Sequence, residues 1–390
     1  MSLNLRAAAL TAACLILMAG CGKQPSKSDG GVSATGSANG TAGAPAATGG
    51  GRVVNVYNWS DYIDPKVLED FQKQTGIRVR YDVFDSNEVL ETKLLTGKSG
   101  YDVVVPSAYF LERQIKAGVF QKLDKTKLPG LANMDAEISR SSATHDPDNA
   151  HSVVYMWGTT GIGYDADKIA KIMPDAPVDS WRMVFDPKVL AKFKGCGVSV
   201  LEDPTEIVST VLLYLGKDPN SESPEDLKLA EQTLMAIRPF IRSINSGQMI
   251  DGLANGDFCV VIAYSGDVLQ ARDRADEAGK PIDIKYSIPK EGAIMWFDTL
   301  AIPADAPHVA EAHAFIEYML RPEVAAANSE FLSYANPNAK ATALLSEDLR
   351  NDAGVYPAPE LKAKLRTSAA KSAEFTRLLN RSWTRFMTGG

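Results

Sequence analysis

The sequence predicts an α/β protein built as two lobes, and three observations carry that expectation. Short runs rich in β-branched and aromatic residues alternate with stretches of helical periodicity, the order that builds a parallel sheet. One of those runs, YDVVV at 101–105, is continuously apolar at its end, as a strand covered on both faces must be. Beyond a long stretch of small residues near the start, about 340 residues remain, too many for one compact core.

Met1 to Gly20 carries one charged side chain, Arg6, followed by a largely apolar run from Ala7 to Met18. A run that short is a secretory signal and not a membrane span. It ends Leu17-Met18-Ala19-Gly20-Cys21, which resembles the bacterial lipobox and implies cleavage before Cys21 and lipidation of that residue. An ordinary signal followed by a chance cysteine is the plainer alternative. From Gly22 to Gly51 nearly every residue is Gly, Ala, Ser, Thr or Pro, which cannot bury enough surface to offset ordering and so forms a tether. The expected order is therefore a signal at 1–20, an anchored Cys21 with its tether to 52, and a folded module behind them.

The chain has 41 Lys and Arg against 48 Asp and Glu, a net charge of −7. No basic stripe is present, which argues against nucleic acid as a partner, and an acidic exported protein is compatible with cationic ligands. Of the four cysteines, Cys14 leaves with the signal and Cys21 is the expected anchor. Cys196 and Cys259 remain, an even pair in an oxidising compartment. That favours a disulfide closing a loop of about 64 residues, worth ~2–4 kcal/mol. A catalytic thiol is the alternative, although His145, His151, His308 and His313 stand in no recognisable motif. Cys-x-x-Cys, His-Glu-x-x-His and calcium-loop patterns are missing, so neither a metal nor a cofactor is expected.

Val53, Val54, Val56 and Tyr57 read as a first buried strand. Trp59, Ser60, Asp61 and Tyr62 follow where it stops, and Asp64-Pro65 starts a helix carrying Val67, Leu68 and Phe71. Ile77–Phe84 alternates as a second strand, and a helix runs through Val89, Leu90, Leu94 and Leu95. The third strand, at 101–105, runs into Ser107 and Tyr109 ahead of a helix through Phe110, Leu111 and Ile115. Gly97-Lys98-Ser99 imitates the end of a phosphate loop but follows a helix, and the first glycine of that motif is absent.

His151–Asp165, apolar and glycine-rich, suits a strand crossing between lobes. Val198–Leu201 opens the second lobe and ends in Asp203 and Glu206, which are also the ordinary acids of a first helical turn. Asp257–Ala263 is a strand ending in Tyr264, Ser265 and Asp267. Met295–Asp298 is another, with Trp296 beside Asp298, and Tyr334 stands in a turn after the helices that follow. Core packing explains any one of these aromatics. Together they describe a cleft of aromatics and carboxylates beyond the strand ends, with no Lys or Arg in the same loops.

Seven stretches spread in order over the chain carry a resemblance. They are VYNWSDYI at 56–63, YDVVVPS at 101–107, YLGKDPNS at 214–221, LANGDFCV at 253–260, SGDV at 265–268, SIPKEGA at 287–293 and YANPN at 334–338. The module resembles the periplasmic putrescine and spermidine receptors of ABC importers. The resemblance implies a periplasmic-binding-protein-like fold: two α/β lobes, a ligand cleft and crossover hinge strands. Lobe 1 would comprise 53–156 and 275–323, and lobe 2 would comprise 157–274 and 324–390.

It further implies that Trp59, Tyr264, Trp296 and Tyr334 face the methylenes and ammonium groups. Asp61, Glu206, Asp267 and Asp298 would accept hydrogen bonds from the amines, with Ser60, Tyr62, Ser107 and Tyr109 alongside. A bridge between Cys196 and Cys259 also fits putrescine-type members. Asp203, Tyr109 and Trp296 look like the spermidine type, whose putrescine relatives carry a small apolar residue, Ser and Phe there. Tyr264 stands where Trp is usual.

The expected activity is therefore binding without turnover, with putrescine or spermidine as ligand and permease subunits as partners. A monomer held at the membrane from the periplasmic side is the expected form. A tethered sensor and an enzyme with a cysteine nucleophile are the alternatives.

Overall fold

The computed structural model describes residues 51–389. The expected signal, the Cys21 anchor and the tether up to residue 50 lie outside the described residues. Within them, no helix is long and apolar enough to cross a membrane.

Strand β1 (Val53–Trp59) lies between β2 (Arg78–Phe84) and β3 (Val103–Val104), parallel to both. The intervening segments are helices α1 (Pro65–Thr75) and α2 (Asn87–Leu95), and α3 (Ala108–Lys116) follows β3. Asp64 caps α1 by accepting from the Lys66 amide, and Pro65 holds its first turn. In the second half, β5 (Val198–Val200) runs parallel to β6 (Ser243–Ile244) and β7 (Val260–Tyr264). Helix α4 (Pro204–Tyr214) follows β5, and α5 (Ser265–Glu277) follows β7.

One strand is shared by the halves. β4 (Ser152–Asp165) pairs along its first part with β9 (Ile294–Ala301) and along its second with β7 and β8 (Ile284–Ser287), all antiparallel. The ladder thus runs β2-β1-β3-β9-β4-β7-β5-β6, with short β10 (Arg366–Thr367) on β9.

Apolar side chains collect on either side of β4. One core gathers Val54, Phe71, Val103, Val153 and Phe315, and another gathers Ile162, Trp181, Phe193, Ile262 and Phe386. The lobe boundaries drawn from sequence need two corrections. Val324, Leu332 and Tyr334 pack into the first core, because helix α6 (Pro322–Leu332) directly follows Val309–Met319 and stays with it. The closing helix α7 (Ala373–Thr388) packs into the second core through Phe375, Leu379 and Phe386, so the stretch 324–390 is divided. Ile284, expected in lobe 1, joins the second core because β8 pairs with the far end of β4.

One smaller expectation also changes, and the disulfide stands as expected. Val83 and Val89 are half-exposed, since β2 is the sheet edge and it is Phe84 and Leu90 that turn inward. Cys196 and Cys259 are joined, with Cα atoms 5.6 Å apart, which removes the thiol nucleophile as an alternative.

Candidate functional site

The site lies where β1, β3, β5 and β7 deliver their ends and where Trp296 and Asp298 stand within β9. β1 leaves the sheet at Trp59, whose indole N–H donates to the Val105 carbonyl at 2.9 Å and whose ring meets Phe84 at 4.6 Å. Asp61 takes a left-handed φ of 51°, which turns the loop back. Tyr62 can then donate its hydroxyl proton to Asp298 Oδ2 at 2.9 Å. Ser107, after β3, donates to Asp298 Oδ1 at 2.6 Å and accepts from Asn87 at 3.1 Å. Both hydroxyls favour the ionised form of Asp298, but burial outweighs them and raises its pKa to about 6.

Trp296 stands between Tyr264 and Tyr334, edge to face with each at 5.4 and 5.3 Å. Two glycines make this wall possible. A Cβ on Gly158 would lie 2.5 Å from the Trp296 ring, and one on Gly266 would lie 2.5 Å from the Tyr334 ring. Tyr334 donates to Asp267 Oδ1 at 2.6 Å, and burial raises Asp267 to about 6.

On α4, Asp203 caps the helix through the Glu206 amide at 2.9 Å and accepts the Tyr109 hydroxyl at 3.0 Å. Burial raises its pKa. Glu206 is 2% exposed and its Oε1 has no hydrogen-bond partner. Burial, then the neighbouring Asp203, pushes it up to about 8. Ser60 donates to Asp85 at 2.7 Å, nearer the rim.

Together these groups line a cavity of about 490 Å³, within the usual range for small-molecule sites. All thirteen residues expected from sequence line it: Trp59, Ser60, Asp61, Tyr62, Ser107, Tyr109, Asp203, Glu206, Tyr264, Asp267, Trp296, Asp298 and Tyr334. Nine carboxylates and one guanidinium face it.

That guanidinium corrects the expectation of acids without a counter-charge. Arg274 sits two turns along α5 from Asp267, not in the loop, and reaches back to Asp61 at 3.3 Å and Asp251 at 2.8 Å. Asp203, Glu206, Asp267 and Asp298 make no ion pair with a Lys or Arg among the described residues. Sequence reasoning also missed Glu88 and the loop Asn245–Gln248, both on the cavity wall. Glu88 is open to solvent on its outer side, yet desolvation and then Asp203 raise it to about 7. Its position in the first turn of α2 gave no signal beyond that of a helix-start acid. Among the described residues, no group of three or more His, Cys, Asp or Glu is arranged to hold a metal ion.

The arrangement can hold a cation whose body is apolar. Rings supply negative π faces, and the carboxylates, raised chiefly by burial, regain acidity when a positive group arrives beside them.

Residues 66–358 match the profile of the bacterial extracellular solute-binding proteins. The putrescine-binding periplasmic protein SpuD of Pseudomonas aeruginosa is 51% identical over 339 residues, 87% of this chain and 92% of that one. The putrescine-binding periplasmic protein PotF of Escherichia coli is 50% identical over 340 residues, again covering 87% and 92%. Among solved structures, a putative spermidine/putrescine ABC transporter from Listeria monocytogenes superposes with a TM-score of 0.78 at 32% identity, covering 86% of this chain and 99% of that one.

Proposed function

The chain belongs to the bacterial extracellular solute-binding proteins, and from that premise we propose that it captures a small aliphatic polyamine for an ABC importer. One observation carries the reading. Asp203, Glu206, Asp267 and Asp298 share an aromatic-walled cavity with no Lys or Arg paired to them among the described residues. A diamine supplies the missing charge at its ends and apolar methylenes between them.

In this reading the ammonium groups donate hydrogen bonds to the carboxylates, while Trp59, Tyr264, Trp296 and Tyr334 sandwich the chain. Charge-assisted bonds, cation–π contacts and methylene burial each contribute on the order of 1–3 kcal/mol. Their surplus over ordering costs corresponds to micromolar to nanomolar affinity, about 8–12 kcal/mol. Because the ligand touches groups from both cores, it favours the closed arrangement, which the permease then recognises. The protein binds and releases without turnover.

Asp203 with Tyr109 extends the acidic lining, so spermidine is accepted as well as putrescine. The moving pieces are the lobes 53–156 with 275–323 and 157–274 with 324–390, as amended by the packing of 284 and of 324–334. We place the protein in the periplasm as a monomer tethered through Cys21, in line with the location named for its relatives. Titration calorimetry with putrescine, spermidine, cadaverine and agmatine tests the binding: micromolar or tighter affinity for at least one is expected, and heat from none overturns it. Unchanged polyamine uptake after deletion of the gene would remove the transport role.

A further inference from the structure

We propose that Thr160 and Ser368 are positioning residues for polyamine capture: their hydroxyls donate to Glu206 when that carboxylate meets an ammonium group, and Asn220 holds Ser368 in place to do so. The inference rests on the polyamine reading above and identifies the groups behind one of its acids.

Glu206 is 2% exposed, and among the described residues its Oε1 has no hydrogen-bond partner. Two more buried oxygens are also without a partner, Thr160 Oγ1 and Ser368 Oγ. Neither residue lines the cavity, so each acts through Glu206 and not on the ligand. Burial, then Asp203, pushes the Glu206 pKa up, and the two hydroxyls beside it pull the other way. An ionised carboxylate takes more hydrogen bonds than a neutral one. Two uncommitted hydroxyl donors beside a buried acid therefore matter most once that acid ionises.

The fold brings them there from two directions. Thr160 stands on β4, paired with Tyr264 of β7 on one side and Ile294 of β9 on the other. In β10, Thr367 is in register with Met295, so Ser368 comes next, level with Trp296. The stretch YLGKDPNS at 214–221 contributes nothing to the cavity lining, yet it fixes this second arrival. Ser209 Oγ, one turn beyond Glu206 on α4, donates to the Pro219 carbonyl at 2.9 Å and folds that loop back along the helix. Asn220 then brackets Ser368. Its Nδ2 donates to the Thr367 carbonyl at 2.9 Å, and its Oδ1 accepts from the Ala369 amide at 2.8 Å. Glu222 accepts from the Ser372 amide at 3.1 Å a turn further on. One helix thus carries a ligand acid in its first turn and, past its last, the clamp for that acid's donor.

Calorimetry on the purified protein with putrescine and spermidine, at pH 7 and pH 9, tests this. Glu206, at about 8, is mostly neutral at the lower pH and mostly ionised at the higher. Removing a donor makes ionisation harder, which costs affinity only where the acid must lose its proton to bind. Ser368→Ala and Thr160→Val should therefore each weaken binding about tenfold at pH 7 and less than about threefold at pH 9. Asn220→Ala should repeat that pattern, and combined with Ser368→Ala it should add little. The other titratable groups facing Glu206 are Asp203 on its own helix, Asp298 on β9, Tyr264 on β7, Tyr286 on β8 and Tyr109 on α3. The variants leave all five in place, so the ratio of variant to wild type cancels their titration. Equal losses at the two pH values would mark a merely structural defect, and unchanged affinity of Ser368→Ala and Thr160→Val at pH 7 would show the donors idle; either overturns the inference. Wild type that binds a polyamine leaves the broader reading standing in both cases, whereas wild type that binds neither overturns both.

Discussion

Lowering the pH from 7 to 5 should weaken diamine binding by at least about 100-fold. Asp267 and Asp298 have pKa values of about 6, so each is mostly ionised at pH 7 and mostly neutral at pH 5. Losing each charge costs about tenfold in affinity, ~1.4 kcal/mol, and the two act together on one ligand. Glu206, at about 8, holds its proton at pH 7 and must release it to face an ammonium group. Binding at pH 7 should therefore expel about one proton, and the ligand does not supply it, since aliphatic amines stay charged throughout this range. The assay is calorimetry in two buffers of different ionisation enthalpy, repeated at pH 5, 6, 7 and 8. No histidine lines the cavity to confuse the result. Equal affinity at pH 5 and 7 with no buffer-dependent heat would refute the assignment of these carboxylates to the site.

The ligand-free protein should show the opposite trend. Asp267, Asp298 and Glu206 have folded pKa values above their unfolded ones, so the native state binds more protons between about pH 4 and 8. Their contribution to stability rises as pH falls through that window, which a melting series with and without ligand would reveal; a ligand-free protein that loses stability steadily from pH 8 to 5 contradicts it. Asp267→Asn and Trp59→Ala should each weaken binding by at least about tenfold, ~1.4 kcal/mol, by calorimetry. Unchanged affinity in both removes them from the site. Gly266→Ala should displace the Tyr334 ring, weakening binding and altering near-UV circular dichroism, because its new Cβ would sit 2.5 Å from that ring. Retention of both signals would show the wall to be looser than drawn.

Much of the site was legible because strands end where the sheet ends, and the residues at the ends of β1, β3, β5 and β7 and inside β9 repeat one chemistry. Trp59 with Asp61 and Trp296 with Asp298 are local pairs that a linear reading can find. Arg274 and Glu88 could not be found that way. Each lies inside a helix and reaches the cavity through the direction its helix takes, which only the packed structure fixes. The division of 324–390 was hidden for a related reason. Helical periodicity shows that α6 and α7 bury a face but not which core receives it. The edge position of β2 likewise decides that Val83 stays outside, although its alternation is perfect in sequence.

β4 is shared by both halves, and it carries Gly158, Gly161 and Gly163. At those three positions the joint between the halves is bare backbone, on which Trp296, Tyr286 and Val268 close directly. Flexing it would strain a ladder that both halves share, and the crossings from β8 to β9 and from α6 to α7 would have to follow. A substitution that stiffened β4 would lengthen residence of the cargo and slow its delivery, and selection for faster transport would be felt on this strand before it reached the acids.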